Sequence, residues 1–258
     1  MGKPHPFIKG FWVTPKGYYD IYNSSGQRLL VECECHKKFM KDVRNFDVYE
    51  KANIPFTFKN FNIDKEYKGK DVNNNIKKLK TYIDKFESSE FSSAILYFYG
   101  RSGTQKTFTA KWLGAQIINK SKKVAYITML DLISLLLKPF DDVNVKKPED
   151  TYSGFLDKAD LVIIDDSFDK SRVSVWKSGY QLQFLDSFLR KRLGNKKGLV
   201  IISEYCITDI SSQGFSPSIQ DLISREVNLK KTAFEFTDNY EVNILDPKGL
   251  FDDEIYNN

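Results

Sequence analysis

Five short apolar runs punctuate the second half of the chain, and segments with helical spacing separate them. Ala94–Tyr99 is apolar without interruption, as expected of a strand buried on both faces of a sheet. Lys123–Thr128, Leu161–Ile164, Gly198–Ser203 and Ala233–Phe236 repeat that texture. Between them the spacing predicts helices: one running to about Lys120, then Asp131–Lys138 stopped by Pro139, Gly154–Lys158, Lys177–Leu193 and Ser216–Ser224. Upstream, Ile76, Leu79, Ile83 and Phe86 recur at helical intervals with lysines opposite, predicting an amphipathic helix over Asn73–Phe86. Apolar strands alternating with helices make an α/β protein, with a five-stranded parallel sheet and helices on both faces.

Residues 1–51 have another texture, aromatic and basic, and are expected to form a small separate module before a main domain at 52–258. Tyr18–Tyr22 and Leu29–Cys35 alternate around the turn Asn23-Ser24-Ser25-Gly26, which predicts a β-hairpin. So small a unit needs a staple or a neighbour. Cys33, Cys35 and His36 could bind zinc, because thiolates and imidazole suit that ion. Zinc wants four ligands, however, and buried thiols compete with that reading. A linker helix over Lys38–Lys51 ends before Pro55. Phe56, Phe58 and Phe61 then read as anchors packing this arm onto the main domain, with an adenine-contacting role as the alternative.

Composition narrows the picture. A chain of 258 residues holds one sizeable α/β domain plus a small appendage. The 39 basic and 34 acidic residues leave a net charge of +5, compatible with nucleic-acid binding without arguing for it. Arg172, Lys177, Lys138, Lys146 and Lys147 could contact a nucleic-acid backbone, a reading that competes with solvated surface. The runs AILYFY and LISLLL are too short to span a bilayer, and MGKPHPF lacks a signal-peptide core. Three cysteines make no disulfide framework, so a cytoplasmic protein is expected.

The candidate chemistry begins where the first long strand ends. Gly100-Arg101-Ser102-Gly103-Thr104-Gln105-Lys106-Thr107 is one residue from the phosphate-loop pattern GxxxxGK[ST], and Phe108 opens the following helix. Such a loop aims successive N–H groups at phosphate oxygens, and the helix N-terminus favours the same anion. Lys106 would meet the outer phosphates and Thr107 would ligate Mg²⁺. The departure is Gln105, which stands where the pattern has glycine.

Leu161-Val162-Ile163-Ile164-Asp165-Asp166 ends in paired carboxylates, and ligands in such sheets sit at the carboxyl ends of the strands. Asp165 would hold Mg²⁺ opposite Thr107, and Asp166 would orient and deprotonate a water. Ser203 and Glu204, at the tip of the fourth strand, are placed to reach the γ-phosphate, where a glutamate brings negative charge to negative charge. Arg225, at the end of a short helix, could serve a neighbouring subunit's γ-phosphate as an arginine finger or make a surface ion pair.

The order GRSGTQKT, LVIIDD, LVIISE and LISRE resembles the AAA+ ATPases of the replicative-helicase loader group (DnaC/DnaI-like), with IstB transposition ATPases as relatives. The resemblance implies a P-loop NTPase core without C-terminal lid helices, preceded by a small Cys-rich module that grips a helicase. It implies ATP or ADP with Mg²⁺ at the loop, head-to-tail self-assembly through the ATP site, and single-stranded DNA along the inner surface. Lys106 and Thr107 match the family's phosphate-loop pair, Asp165 and Asp166 its second motif, and Arg225 its arginine finger. The expected activity is slow ATP hydrolysis coupled to helicase loading; a non-hydrolysing helicase adaptor and a transposition helper are the alternatives. Gln105, Glu204 (where the family commonly has asparagine) and the missing first cysteine pair depart from the pattern.

Overall fold

A computed structural model of the chain describes residues 3–4, 12–13, 18–22, 28–32, 47–66, 70–137, 152–171 and 180–237. The chain divides into two units, Met1–Glu50 and Lys51–Asn258. In the first, β1 (Lys3–Pro4) pairs antiparallel with β2 (Trp12–Val13), and β3 (Tyr18–Tyr22) with β4 (Arg28–Glu32). The second pair is the expected hairpin, in register from Tyr18–Glu32 to Tyr22–Arg28. Its return strand starts one residue earlier than the alternation suggests, and residues 33–35 lie outside the described residues.

The second unit is built on β5 (Ile95–Tyr99), β6 (Val124–Thr128), β7 (Leu161–Ser167), β8 (Gly198–Ser203) and β9 (Ala233–Glu235). These form one parallel sheet in the order β6-β7-β8-β5-β9. Side chains alternate across the sheet, and both sets are buried. On one face Ile95, Tyr97, Ile127, Val162, Ile164 and Ile201 join a core closed by α3 (Met129–Leu137), α4 (Tyr152–Lys158), α5 (Tyr180–Gly194) and α6 (Pro217–Lys230). The other strand face, with Leu96, Phe98, Ile163, Val200 and Ile202, is also buried. α2 (Lys106–Asn119) contacts β6, β7 and β8, and α1 (Lys70–Lys85) contacts α2. Helices on both sides explain why the strands read as continuous apolar runs.

One boundary near the site differs from the sequence reading. α6 does not stop at Ser224: Ile219, Leu222, Ile223 and Val227 keep an apolar stripe facing the core for another turn. Lys231 then ends the helix in a left-handed conformation, its N–H reaching Val227 O. Arg225 therefore sits inside a helix rather than at its end. The predicted start of α5 at Lys177 falls among residues outside the described set, as do 238–258, where a lid would have to begin.

The arm before α1 is tied down by backbone and aromatic contacts. Tyr126 N–H donates to Ala52 O at 2.9 Å on the edge strand β6. Phe58 is buried and packs on Phe108 of α2 at 4.9 Å between centroids, with Phe61 at 5.1 Å from the same ring. Phe58 and Phe61 thus act as the expected anchors. The start of the loop is equally constrained, because Gly100 has φ 141° and a Cβ there would lie 2.1 Å from Phe236 O. Glycine is required at that point.

Candidate functional site

β5 hands the chain to a loop that turns tightly into α2, and the turn is made by left-handed backbone. Gly103 has φ 80° and Gln105 has φ 66°, Gln105 being the N-cap residue of α2 without a side-chain cap bond. A glutamine thus adopts the conformation that glycine takes freely, at a cost of about 1 kcal/mol. Gln105→Gly is expected to raise stability in urea unfolding by up to about 1 kcal/mol, because glycine adopts the left-handed φ of 66° without a Cβ penalty. A clear loss would contradict the left-handed geometry. If the loop limits catalysis, ATP turnover rises in the same variant.

Lys106 is buried at the base of the loop. Its ammonium donates to Gly100 O at 2.7 Å, Arg101 O at 2.6 Å and Thr104 Oγ1 at 3.3 Å. Burial pushes its pKa down, and the charges of Glu204, Asp165 and Asp166 oppose that shift. The loop therefore holds a cation beneath its own backbone.

The carboxylate side is equally ordered. Asp165 is buried at the tip of β7, and its Oδ2 accepts from Thr107 Oγ1 at 2.8 Å and from Tyr126 OH at 2.6 Å. Its Oδ1 accepts the Asp166 N–H at 2.8 Å. A register shift between Ile164 and Ser167 bulges β7 against β8, and Asp166 takes φ 51° within it, with its side chain exposed. A bulge next to a site re-aims side chains, and here it turns one carboxylate inward and one toward solvent. Ser203, buried on β8, donates to Ser167 O at 2.9 Å and accepts from Tyr205 N–H at 3.1 Å. Its hydroxyl braces the bulge.

A cavity of about 410 Å³ joins these parts, lined by Ser102 to Phe108, Asp165, Asp166, Ser203 and Glu204. Pro55 and Phe58 add an apolar wall, so the aromatic arm both packs on α2 and faces the cleft. Arg225 is not among the lining residues. Its side chain is 68% exposed and lies 3.4 Å from Glu226, an exposed pair of small energetic weight. Cys33, Cys35 and His36, and the five basic residues singled out for nucleic acid, lie outside the described residues.

Two contributors escaped the sequence reading. Tyr126 was read only as part of a strand, yet its phenol bonds Asp165, and burial followed by that bond raises its pKa. The signal was positional: Thr128 pairs with Asp165, and Tyr126, two residues earlier, points to the same face. Lys111, one turn into α2, lies 4.3 Å over the Tyr126 ring and also lines the cavity.

The donor set fits a hard cation. Among the described residues no group of three or more His, Cys, Asp or Glu comes together, which argues against an all-protein metal cage there. One carboxylate beside one hydroxyl, at the mouth of a phosphate loop, is the set that Mg²⁺ takes when phosphates complete its shell.

A glycine turn feeding a helix, a buried lysine, and a carboxylate strand two positions away in a parallel sheet form the arrangement of a phosphate loop. Solved structures agree on the fold. The structure of DnaI matches with TM-score 0.53 at 12% identity, over 71% of this chain and 94% of that one. The DnaC helicase loader matches with TM-score 0.53 at 18% identity, over 71% of this chain and 99% of that one. AMPPCP-bound DnaA from Aquifex aeolicus matches with TM-score 0.51 at 13% identity, over 69% of this chain and 49% of that one, so the match spans about half of DnaA. No family model and no curated protein matches the sequence. The chain shares its fold with the structures of DnaI and the DnaC helicase loader.

Proposed function

We propose that the chain is an Mg²⁺-dependent ATPase of replication initiation that loads a replicative DNA helicase onto single-stranded DNA. The observation that carries the nucleotide part is the Thr107–Asp165 contact at 2.8 Å, which joins the phosphate loop to the carboxylate strand. In this reading the loop amides and Lys106 hold the phosphates, and the Phe58 wall receives the base. Thr107 and Asp165 hold Mg²⁺, which when bound neutralises charge on the phosphate oxygens. Tyr126 and the Asp166 N–H fix the Asp165 carboxylate, so that it faces the metal in one orientation. Asp166, exposed to the cavity, accepts the proton of the attacking water.

Arg225 is assigned to the γ-phosphate of an adjacent subunit. Its exposure on α6, away from its own cleft, suits a role in trans. The helicase-loading part is supported by the likeness to DnaI and the DnaC helicase loader, and the module of residues 1–51 is assigned to gripping the helicase. The test is twofold. Purified protein should hydrolyse ATP slowly and severalfold faster with single-stranded DNA, and it should co-elute with the replicative helicase of its own host. Nucleotide binding without turnover, together with helicase co-elution, would indicate an adaptor instead. Turnover without helicase co-elution would remove the loading assignment.

A further inference from the structure

We propose that Glu204 makes this cleft favour a nucleoside diphosphate over a triphosphate. The inference rests on the nucleotide-site reading and specifies which nucleotide the site retains. Register places Glu204: Tyr99 pairs with Ser203, and Ser203 pairs with Ser167. One residue further along, Glu204 leaves the sheet between Gly100, the first residue of the phosphate loop, and the carboxylate tip of β7. It is exposed and lines the same cavity as Lys106. Among the described residues no hydrogen bond or ion pair engages its carboxylate, which lines the cavity with the Lys106 ammonium.

The other groups at the tip leave that charge in place. Ser203 is bonded to the Ser167 carbonyl, and Asp165 is engaged by Thr107, Tyr126 and the Asp166 N–H. A phosphate loop seats the inner phosphates on its amides, and its lysine reaches outward to the last one. A third phosphate beyond the lysine enters the part of the cavity that Glu204 also lines, where the two negative charges repel. The second phosphate stays on the loop side of the lysine. Glu204 therefore penalises the triphosphate selectively, and the cleft is expected to rest in its diphosphate form.

The experiment is competitive displacement of a fluorescent ADP analogue, in Mg²⁺, by ADP and by a non-hydrolysable ATP analogue. Wild-type protein should bind ADP at least about tenfold more tightly than the triphosphate. Glu204→Gln should shrink that preference by about fivefold or more through a gain in triphosphate affinity, with ADP affinity within about twofold of wild type. Glu204→Asp keeps the charge and should keep most of the preference. Equal or tighter triphosphate binding by wild type overturns the inference while leaving the nucleotide site intact. So does an equal shift of both affinities in Glu204→Gln. Binding of neither nucleotide overturns the inference and the nucleotide-site reading together.

Discussion

Asp166→Asn is expected to lower ATP turnover by two orders of magnitude or more while leaving nucleotide affinity within about threefold of wild type. General-base assistance contributes about 10²- to 10⁴-fold, and asparagine cannot supply it. The substitution is also gentle on the backbone. Asp166 has φ 51°, and asparagine is among the few residues that tolerate that region well. The side chain is exposed on the cavity wall, so the amide is not placed in a dry interior. Asp166→Ala would mix strain in the bulge with loss of the carboxylate, and is the poorer probe. Single-turnover kinetics with labelled ATP, beside a binding titration, separate the two effects. Turnover within tenfold of wild type would move the base elsewhere, with Asp169 and Glu204 the other carboxylates on the cavity wall besides Asp165.

Lys106→Ala should weaken nucleotide binding by about a hundredfold or more, since charge-assisted bonds to phosphate are among the stronger ones and the site is partly desolvated. The same change leaves Gly100 O and Arg101 O without their buried donor, so thermal stability should also fall, by about 1–3 kcal/mol. Lys106→Arg should restore neither property. The ammonium sits 2.6–2.7 Å from two carbonyls in a buried seat, and a planar guanidinium does not fit three such converging contacts. Unchanged affinity in Lys106→Ala, measured by displacement of a fluorescent nucleotide, would mean that the lysine only props the loop.

The parts of this molecule that were legible in the sequence share a physical cause. Strands covered on both faces must be apolar throughout, so β5, β7 and β8 stand out without any partner being known. The phosphate loop and the carboxylate pair are legible because backbone and chemistry constrain adjacent residues. Gln105 was legible as the departure from the loop pattern for the same reason, and it has φ 66°. What stayed hidden depends on register and packing between distant segments. Tyr126 becomes an Asp165 partner only when β6 and β7 align. Ser203 lines the cavity as its place at the strand tip suggests, but its bond to the Ser167 carbonyl depends on the β7 bulge.

Arg192 is a further case, sitting in the sequence RKRLGNKK beside residues that are solvent-exposed. It is 2% exposed and donates to Leu156 O, Ala159 O and Gly198 O at 2.8–3.0 Å, fixing the chain where β7 and β8 begin. Its guanidinium pKa is pushed down to about 10 by burial. Residue type does not distinguish it from Lys191, whose ammonium pairs with Asp157 in solvent; helical register does, since Arg192 continues the buried stripe of Leu185, Phe188 and Leu189. The end of α6 was misjudged for a related reason. The sequence shows a break at Ser224-Arg225-Glu226, but Val227 still has a core to face.

The central claim is that the cleft between the phosphate loop and the tips of β7 and β8 binds a magnesium nucleotide. Calorimetric titration of ADP into the wild-type protein, in Mg²⁺ and again in EDTA, tests it most directly. One nucleotide per chain, bound about tenfold or more tightly with Mg²⁺ than without it, is the predicted result, since Thr107 and Asp165 act on the phosphates through the metal. No heat in either condition, or an affinity indifferent to Mg²⁺, would contradict it.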